Sequence, residues 1–308
     1  YMEENKTAEF YKYTEEKGIA TSVTEQDSIS LATAENFFHQ GQYENALSAV
    51  NQYIEQFPKG AYLLKINYYG LISLEKLGRV EETRPYLEYI IAQPDNDYTD
   101  NALLKIADMD KAANDFAKAK GYYERLLQIT ENQKVKIQAI EGAMECCYKT
   151  DDYDGAVAKG NELLGVQNLS QKKKNFANYI VGMSLYKKND FVPALAKLEE
   201  CSKKDRTEIG AEAAYHVVLA NWNTGNLDET EEKVFYISDN FSAFSYYVAM
   251  SFVTLSDVYV AKGNVFQAKE TLKSIIENYP AGEEPSVLAE QKLTTIEKSE
   301  FINEEGVR

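Results

Sequence analysis

The stretch ADMDKAANDFAKAKGYYERL, residues 107–126, decides the fold of this chain. Its first half is amphipathic and ends at Asn114-Asp115, residue types suited to a left-handed turn followed by a helix cap. Its second half places Ala119, Tyr123 and Leu126 at positions i, i+4 and i+7, which lie on one face of a helix. The stretch therefore predicts two helices joined by a tight turn.

The same pattern occurs seven times along the 308 residues. A small residue, which we call the anchor, follows each turn at successive spacings of 37, 36, 37, 38, 36 and 38 residues: Ala46, Thr83, Ala119, Ala156, Ala194, Thr230 and Ala268. Five residues before each anchor stands a residue that tolerates a left-handed backbone: Gly41, Gly78, Asn114, Asp151, Asn189, Gly225 and Gly263. Self-similarity at a fixed period is typical of repeat architectures.

Two further positions of each repeat share a helix face with the anchor. Four residues after it stand Val50, Leu87, Tyr123, Gly160, Leu198, Val234 and Leu272, and seven after it stand Tyr53, Ile90, Leu126, Leu163, Cys201, Ile237 and Ile275. The anchor is small because a neighbouring helix has to approach closely at that point. Each repeat is therefore predicted to be helix, tight turn, helix, with this face of the second helix turned to the interior.

This arrangement of turn, small residue and large residues resembles the tetratricopeptide repeat family. Pro58 and Pro280 close their repeats as in that family, and Pro94 stands one residue early. The resemblance covers roughly residues 28–280 and implies an all-α fold, a right-handed α-solenoid of seven helix-turn-helix repeats with capping helices at both ends. The period of 36–38 residues exceeds the usual 34, so we expect slightly longer helices or inter-repeat turns.

The repeat pattern also predicts the domain boundaries. Residues 1–27 are expected to hold a helix over Glu3–Lys17 and a linker over Ile19–Asp27, as the remnant of an upstream region. The repeats are expected at about 28–60, 61–97, 98–133, 134–170, 171–207, 208–244 and 245–280, with a second helix over 81–93 in the second of them. The polar segment Asn168–Lys174 is the predicted bend between two sub-arrays. Residues 281–308 are expected to form a capping helix, Ser286–Glu300, and a tail.

Charge and hydropathy exclude two classes of partner. The chain has 33 basic and 49 acidic residues, a net charge of −16, whereas nucleic-acid binding needs a basic surface. No stretch of about 18 apolar residues is present, so we expect no direct membrane insertion by this part of the chain.

Residues that could support catalysis are few. The two histidines, His39 and His216, belong to different repeats, and no metal-binding, redox or phosphate-binding motif is present. Cys147 and Cys201 fall on core-facing repeat positions, so we interpret the cysteines as small buried hydrophobic residues. The sequence therefore predicts a non-enzymatic protein with no cofactor and no metal site.

The family resemblance implies that the first helix of each repeat lines a concave groove. Residues fifteen, eleven and eight before the anchor form one stripe on that helix. The stripe is richest in aromatic residues in repeats five and six. With Phe176, one helical turn before Tyr179, the predicted partner-binding residues there are Phe176, Tyr179, Met183, Tyr186, Tyr215, Leu219 and Trp222. In repeat seven it becomes Val253, Asp257 and Val260, so we expect the aromatic row to stop there. Tyrosine and tryptophan are enriched at interface hot spots, but the same side chains could instead pack between adjacent helices.

The leading hypothesis is a protein–protein interaction scaffold that binds a peptide or protein segment in this groove. Some family members grip a carboxylate with lysine and asparagine fifteen and eleven residues before the anchor, and neither residue occurs at those positions here. The alternative is a structural or self-assembling array whose groove holds its own terminal helix or a second copy. The segments QYIEQFPKGAY, residues 52–62, and IIENYPAGEEP, residues 275–285, resemble bacterial cell-envelope repeat proteins, which suggests a periplasmic or outer-membrane-associated location, with the cytoplasm as the alternative.

Overall fold

The computed structural model describes Tyr13, Glu16, Lys17 and residues 22–306, with side chains up to Ser299. From Val23 onward this part of the chain is all-α and contains fifteen α-helices, one 3-10 helix and no strand. The α-helices are α1 (Val23–His39), α2 (Tyr43–Gln56), α3 (Leu63–Lys76), α4 (Arg84–Ala92), α5 (Thr99–Ala112), α6 (Phe116–Ile129), α7 (Gln133–Lys149), α8 (Tyr153–Leu164), α9 (Gln171–Lys187), α10 (Phe191–Lys204), α11 (Glu208–Asn223), α12 (Leu227–Asn240), α13 (Ser245–Ala261), α14 (Val265–Asn278) and α15 (Glu284–Gly306). The helix expected over Glu3–Lys17 lies outside the described residues apart from the three named first.

The tight turns have the backbone conformation that the sequence predicts. All seven residues five before the anchors have positive φ, from 57° at Asp151 to 77° at Gly263. The next amide donates a hydrogen bond to a carbonyl five residues back, as from Asp115 N to Asp110 O at 2.8 Å. This bond satisfies a carbonyl at the helix end and turns the chain into the next helix.

The predicted interior face of the second helices is buried throughout. The seven anchors expose at most 1% of their surface, and the residues four and seven positions after them are buried as well. Thr83 and Thr230 stand where the other repeats have alanine. Their hydroxyl groups donate hydrogen bonds to the backbone carbonyls of Val80 and Asn226, respectively. A hydroxyl that is hydrogen-bonded in this way is tolerated at a buried position.

The chain divides into two compact units, Tyr1–Gly142 and Ala143–Arg308. In the first unit, each helix from α1 to α6 packs against the next along the chain, and α1 also contacts α3. In the second unit, α8 to α15 pack in the same way, and the alternate helices α9, α11, α13 and α15 contact one another in order. We call the surface formed by α9, α11 and α13 the first-helix face of the second unit.

Four expectations about boundaries need correction. The segment predicted as a linker is helical from Val23, because Ser22 and Glu25 form a capping box at the start of α1. Gln171–Lys174 is the first turn of α9, and the boundary between the compact units falls at Gly142 rather than at Asn168–Lys174.

The other two corrections concern α4 and α15. The helix expected over 81–93 is divided into a 3-10 helix, Val80–Thr83, and α4. Pro85 has no amide hydrogen to donate to the carbonyl four residues earlier, so a continuous α-helix cannot run through this point. The terminal helix continues to Gly306, so Phe301–Gly306 is helical rather than a tail.

Candidate functional site

The seven predicted partner-binding residues lie on two neighbouring helices of the second unit. Phe176, Tyr179, Met183 and Tyr186 are on α9, and Tyr215, Leu219 and Trp222 are on α11. Six of them are half-buried, but Met183 exposes only 2% of its surface. It packs among Leu198, Cys201, Ala213 and Val217, because α9 and α11 approach closely there. We therefore remove Met183 from the set that a partner could contact.

Trp222 has two roles in the structure. Part of its indole packs against a core cluster formed by Val218, Val234, Leu255 and Val258, and the rest remains accessible. Tyr179 and Tyr186 similarly pack over the cluster around Met183 while remaining half-buried. These aromatic side chains thus stabilise the packing between helices and also contribute to the surface.

The rings on the first-helix face form a continuous row. His216 makes edge-on contacts with Tyr186 on α9 and with Tyr215 beside it, at centroid distances of 5.0 and 5.5 Å. Tyr215 lies 6.1 Å from Tyr247 on α13, which in turn lies 5.3 Å from Tyr246. Edge-to-face and tilted contacts at these distances are favourable for aromatic pairs. We call Tyr186, Tyr215, His216, Tyr246 and Tyr247 the aromatic row.

The aromatic row extends further than the sequence predicts. The stripe of repeat seven does change to Val253, Asp257 and Val260, but Tyr246 and Tyr247 at the start of α13 carry the row onto that helix. Sequence reasoning missed them because they precede the stripe by more than one helical turn. The signal that could have found them is the adjacent tyrosine pair in the FSAFSYYVAM segment, residues 241–250, just before an apolar helix.

Polar groups hold the row in place. The Tyr246 hydroxyl donates to Glu284 at 2.8 Å, and Asn223 Nδ2 donates to the Tyr186 hydroxyl at 3.4 Å. His216 Nδ1 lies 2.9 Å from the carbonyl oxygen of Glu212, and burial lowers the pKa of the His216 imidazole. The ring is therefore neutral at neutral pH.

The carboxylate of Glu212 on α11 lies close to several tyrosine side chains. The Tyr179 hydroxyl donates to Glu212 Oε2 at 2.8 Å. Burial, with this hydrogen bond as the next cause, raises the pKa of Tyr179 well above its ordinary value. Burial, followed by the charge of Glu212, raises the pKa values of Tyr148 and Tyr247 to about 12. Sequence reasoning missed Glu212, although it precedes Tyr215 by three residues and continues the same helix stripe.

The described residues hold no group of three or more histidine, cysteine or acidic side chains that could bind a metal ion. The three cysteines are buried and form no disulfide bond. Burial raises the pKa of the Cys201 thiol to about 12, which disfavours its nucleophilic thiolate form. Within residues 22–306, none of the helices is long and apolar enough to cross a membrane.

Comparison with known families identifies the repeat. The family model described as "Tetratricopeptide repeat" matches residues 30–60, 101–129 and 249–281. These segments contain the predicted turns of repeats one, three and seven. The chain contains tetratricopeptide repeats in these three segments. Thus the family resemblance and the all-α fold predicted from the sequence are confirmed.

Several solved structures share the fold at low sequence identity. The crystal structure of YrrB, "a TPR protein with an unusual peptide-binding site", is 20% identical with a TM-score of 0.52, and the match covers 67% of this chain and 96% of that one. MamA 41-end from Desulfovibrio magneticus RS-1 is 17% identical with a TM-score of 0.51, covering 61% of this chain and 99% of that one. The apo form of RapI is 13% identical with a TM-score of 0.53, and the match covers 80% of this chain and 75% of that one. No curated protein matches the sequence.

Proposed function

We propose that this protein is a non-enzymatic scaffold that binds an extended peptide or protein segment along the first-helix face of its second unit. The observation that carries the proposal is the aromatic row, which crosses three adjacent helices and remains partly accessible. Rigid, amphipathic tyrosine side chains supply contact area at low entropic cost and are typical of interface hot spots. YrrB, a structure of similar fold, has a peptide-binding site by its own description.

The terminal helix, α15, makes no contact with α9 or α11 among the described residues. It therefore leaves that part of the first-helix face uncovered. It packs against α13 and α14, where Leu288, Leu293 and Ile296 cover the cluster around Leu272 and Ala289. This placement favours an external partner over the reading in which the protein's own terminal helix fills the groove. The two envelope-like segments described above support a place in a bacterial envelope assembly, as part of the same proposal.

The test is selection of binders from a random peptide display library by the full chain. We expect enriched peptides, and we expect the double variant Tyr215→Ala/Tyr247→Ala to bind them at least about tenfold more weakly, because loss of hot-spot residues costs roughly 2 kcal/mol or more. The matched control is Phe266→Ala, which truncates an aromatic side chain that is 74% exposed on α14. Circular dichroism and thermal unfolding of each variant report on folding.

Three outcomes would count against the proposal. The first is the absence of any enriched peptide, and the second is equal binding by the double variant and the wild type. The third is a stable dimer in sedimentation velocity that the double variant dissociates, because the row would then be an interface between two copies of the chain.

A further inference from the structure

The aromatic row is accompanied by a carboxylate that has no basic partner among the described residues. Glu212 is half-buried on α11 and accepts a hydrogen bond from Tyr179, but none of the described lysine or arginine side chains forms an ion pair with it. Three other half-buried carboxylates of the first helices do have one: Glu35 pairs with Lys65, Glu75 pairs with Lys105, and Asp257 pairs with Lys292 at 2.7 Å. Glu212 thus differs from these three paired carboxylates.

The first compact unit shows how such a tyrosine–glutamate pair is completed by a cation. There the Tyr69 hydroxyl donates to Glu35 Oε1 at 2.8 Å, as Tyr179 does to Glu212. Lys65 forms a salt bridge with the same Glu35 carboxylate, and its Nζ lies 5.8 Å from the centre of the Tyr69 ring. One cation thus contacts both the carboxylate and the face of an aromatic ring. The ion pair and the cation–π contact are each favourable.

We propose that the Glu212 site binds an arginine or lysine side chain of an extended basic segment, so that the partner supplies the cation that Lys65 supplies in the first unit. This inference rests on the function proposed above and adds the chemistry of the partner. Glu212 would form the ion pair, and the rings of Tyr179, Tyr148 and Tyr247 would surround the aliphatic stem and the charged head. Arginine is favoured over lysine because its planar guanidinium can donate two hydrogen bonds to one carboxylate and can stack on tyrosine.

The electrostatics of the surroundings favour a cation. Glu208 is on the same helix, one turn before Glu212, and its charge also contributes to the raised pKa of Tyr247. The chain as a whole has a net charge of −16. A half-buried carboxylate attracts an opposite charge more strongly than an exposed one, because water screens it less. An acidic or neutral segment would leave Glu212 without a counter-charge.

The experiment starts from a peptide that the full chain selects by display, and replaces its basic residue by citrulline, which has the shape of arginine without the charge. Both peptides are titrated by isothermal calorimetry into the wild type, Glu212→Gln and Glu200→Gln. Glutamine at 212 keeps the shape and can still accept a hydrogen bond from Tyr179. Glu200→Gln is the matched control, since it removes one negative charge on α10, where Glu200 pairs with Lys204.

We expect citrulline to weaken binding about tenfold for the wild type and for Glu200→Gln, and less than about twofold for Glu212→Gln. The inference is overturned if selected peptides contain no basic residue in common, or if citrulline weakens binding equally for all three proteins. In both cases peptides have still been selected, so the proposed function stands. Failure to select any peptide would instead count against the proposed function itself.

Discussion

At the residue scale, His216 connects the two halves of the aromatic row. Its ring contacts Tyr186 on one side and Tyr215 on the other, and its Nδ1 is beside the carbonyl of Glu212. A protonated imidazolium in this half-buried position would have to give up hydration that the surrounding rings cannot replace. Burial consequently lowers the pKa of His216, so the folded protein favours the neutral ring.

This lowered pKa predicts how stability depends on pH. Because the unfolded chain takes up the proton at a higher pH than the folded chain, the contribution of neutral His216 is present above about pH 6.5 and is lost as the pH falls below it. We expect the free energy of unfolding of the wild type to fall between about pH 7.5 and about pH 5, above the range in which carboxyl groups titrate. His216→Phe, which keeps the ring contacts, should show a smaller fall.

Urea denaturation of each protein at several pH values measures this effect. His39→Phe is the matched control, because His39 is the only other histidine of the chain and its side chain is exposed. It should keep the wild-type pH dependence. The explanation would be wrong if His216→Phe lost as much stability over this range as the wild type.

At the scale of the helices, close packing between repeats depends on positions without a side chain. The ring of Tyr123 on α6 lies directly over Gly142 on α7, so that an added Cβ would stand 2.3 Å from Tyr123 Cζ. Tyr123 is four residues after the anchor Ala119 and is fully buried. Gly121, on the same helix as Tyr123, has no neighbouring atom within 4 Å of its Cβ position.

These two glycines predict opposite effects of the same substitution. Gly142→Ala should destabilise the protein by about 1–3 kcal/mol, because the ring or the helix has to shift. Gly121→Ala should stabilise it by roughly 0.5–1 kcal/mol, because alanine favours a helix and nothing obstructs its methyl group. Midpoints of urea denaturation with unchanged slopes would report both effects. Equal stability of the two variants would show that α6 and α7 do not pack as described.

At this scale, features set by local sequence were predictable, whereas features set by packing between helices were not. The turns at Asn114 and Gly225 were predictable because positive φ restricts the residue types locally. The break at Pro85 was equally local and could have been predicted from the missing amide hydrogen. The exposed fractions of the Met183 and Trp222 side chains could not be predicted, because they depend on how closely neighbouring helices approach. Glu212 could be placed on the stripe, but that none of the described basic side chains pairs with it is visible only in three dimensions.

At the scale of the whole molecule, tyrosine–glutamate pairs occur with and without a lysine, and the second unit also contains a pair with one, Tyr259–Glu231 with Lys262. Each compact unit contains a pair on its first helices, in which Tyr69 donates to Glu35 in the first unit and Tyr179 donates to Glu212 in the second. Of these two, only the first pair has a lysine from the described chain, Lys65. The first pair thus contributes to the internal packing of its unit, whereas the second keeps a charged group available for a partner, in line with the proposed binding of a basic segment.

The net charge of −16 adds a kinetic prediction to this picture. A strongly acidic protein attracts a basic segment over long range, and salt screens this attraction, because the Debye length falls from roughly 14 Å at about 0.05 M to roughly 4 Å at about 0.5 M ionic strength. We expect the association rate of a selected basic peptide to fall about tenfold over this range. The dissociation rate should change less, because it depends on the half-buried contact with Glu212, which salt screens weakly.

Stopped-flow fluorescence with a labelled peptide measures both rates. Glu212→Gln should mainly raise the dissociation rate, since one charge among many contributes little to long-range attraction. Glu200→Gln should leave the dissociation rate at the wild-type value. If the association rate did not depend on salt, the partner would not be recognised through its charge. Binding would then rest on the aromatic row alone, with Glu212 needed only to orient Tyr179.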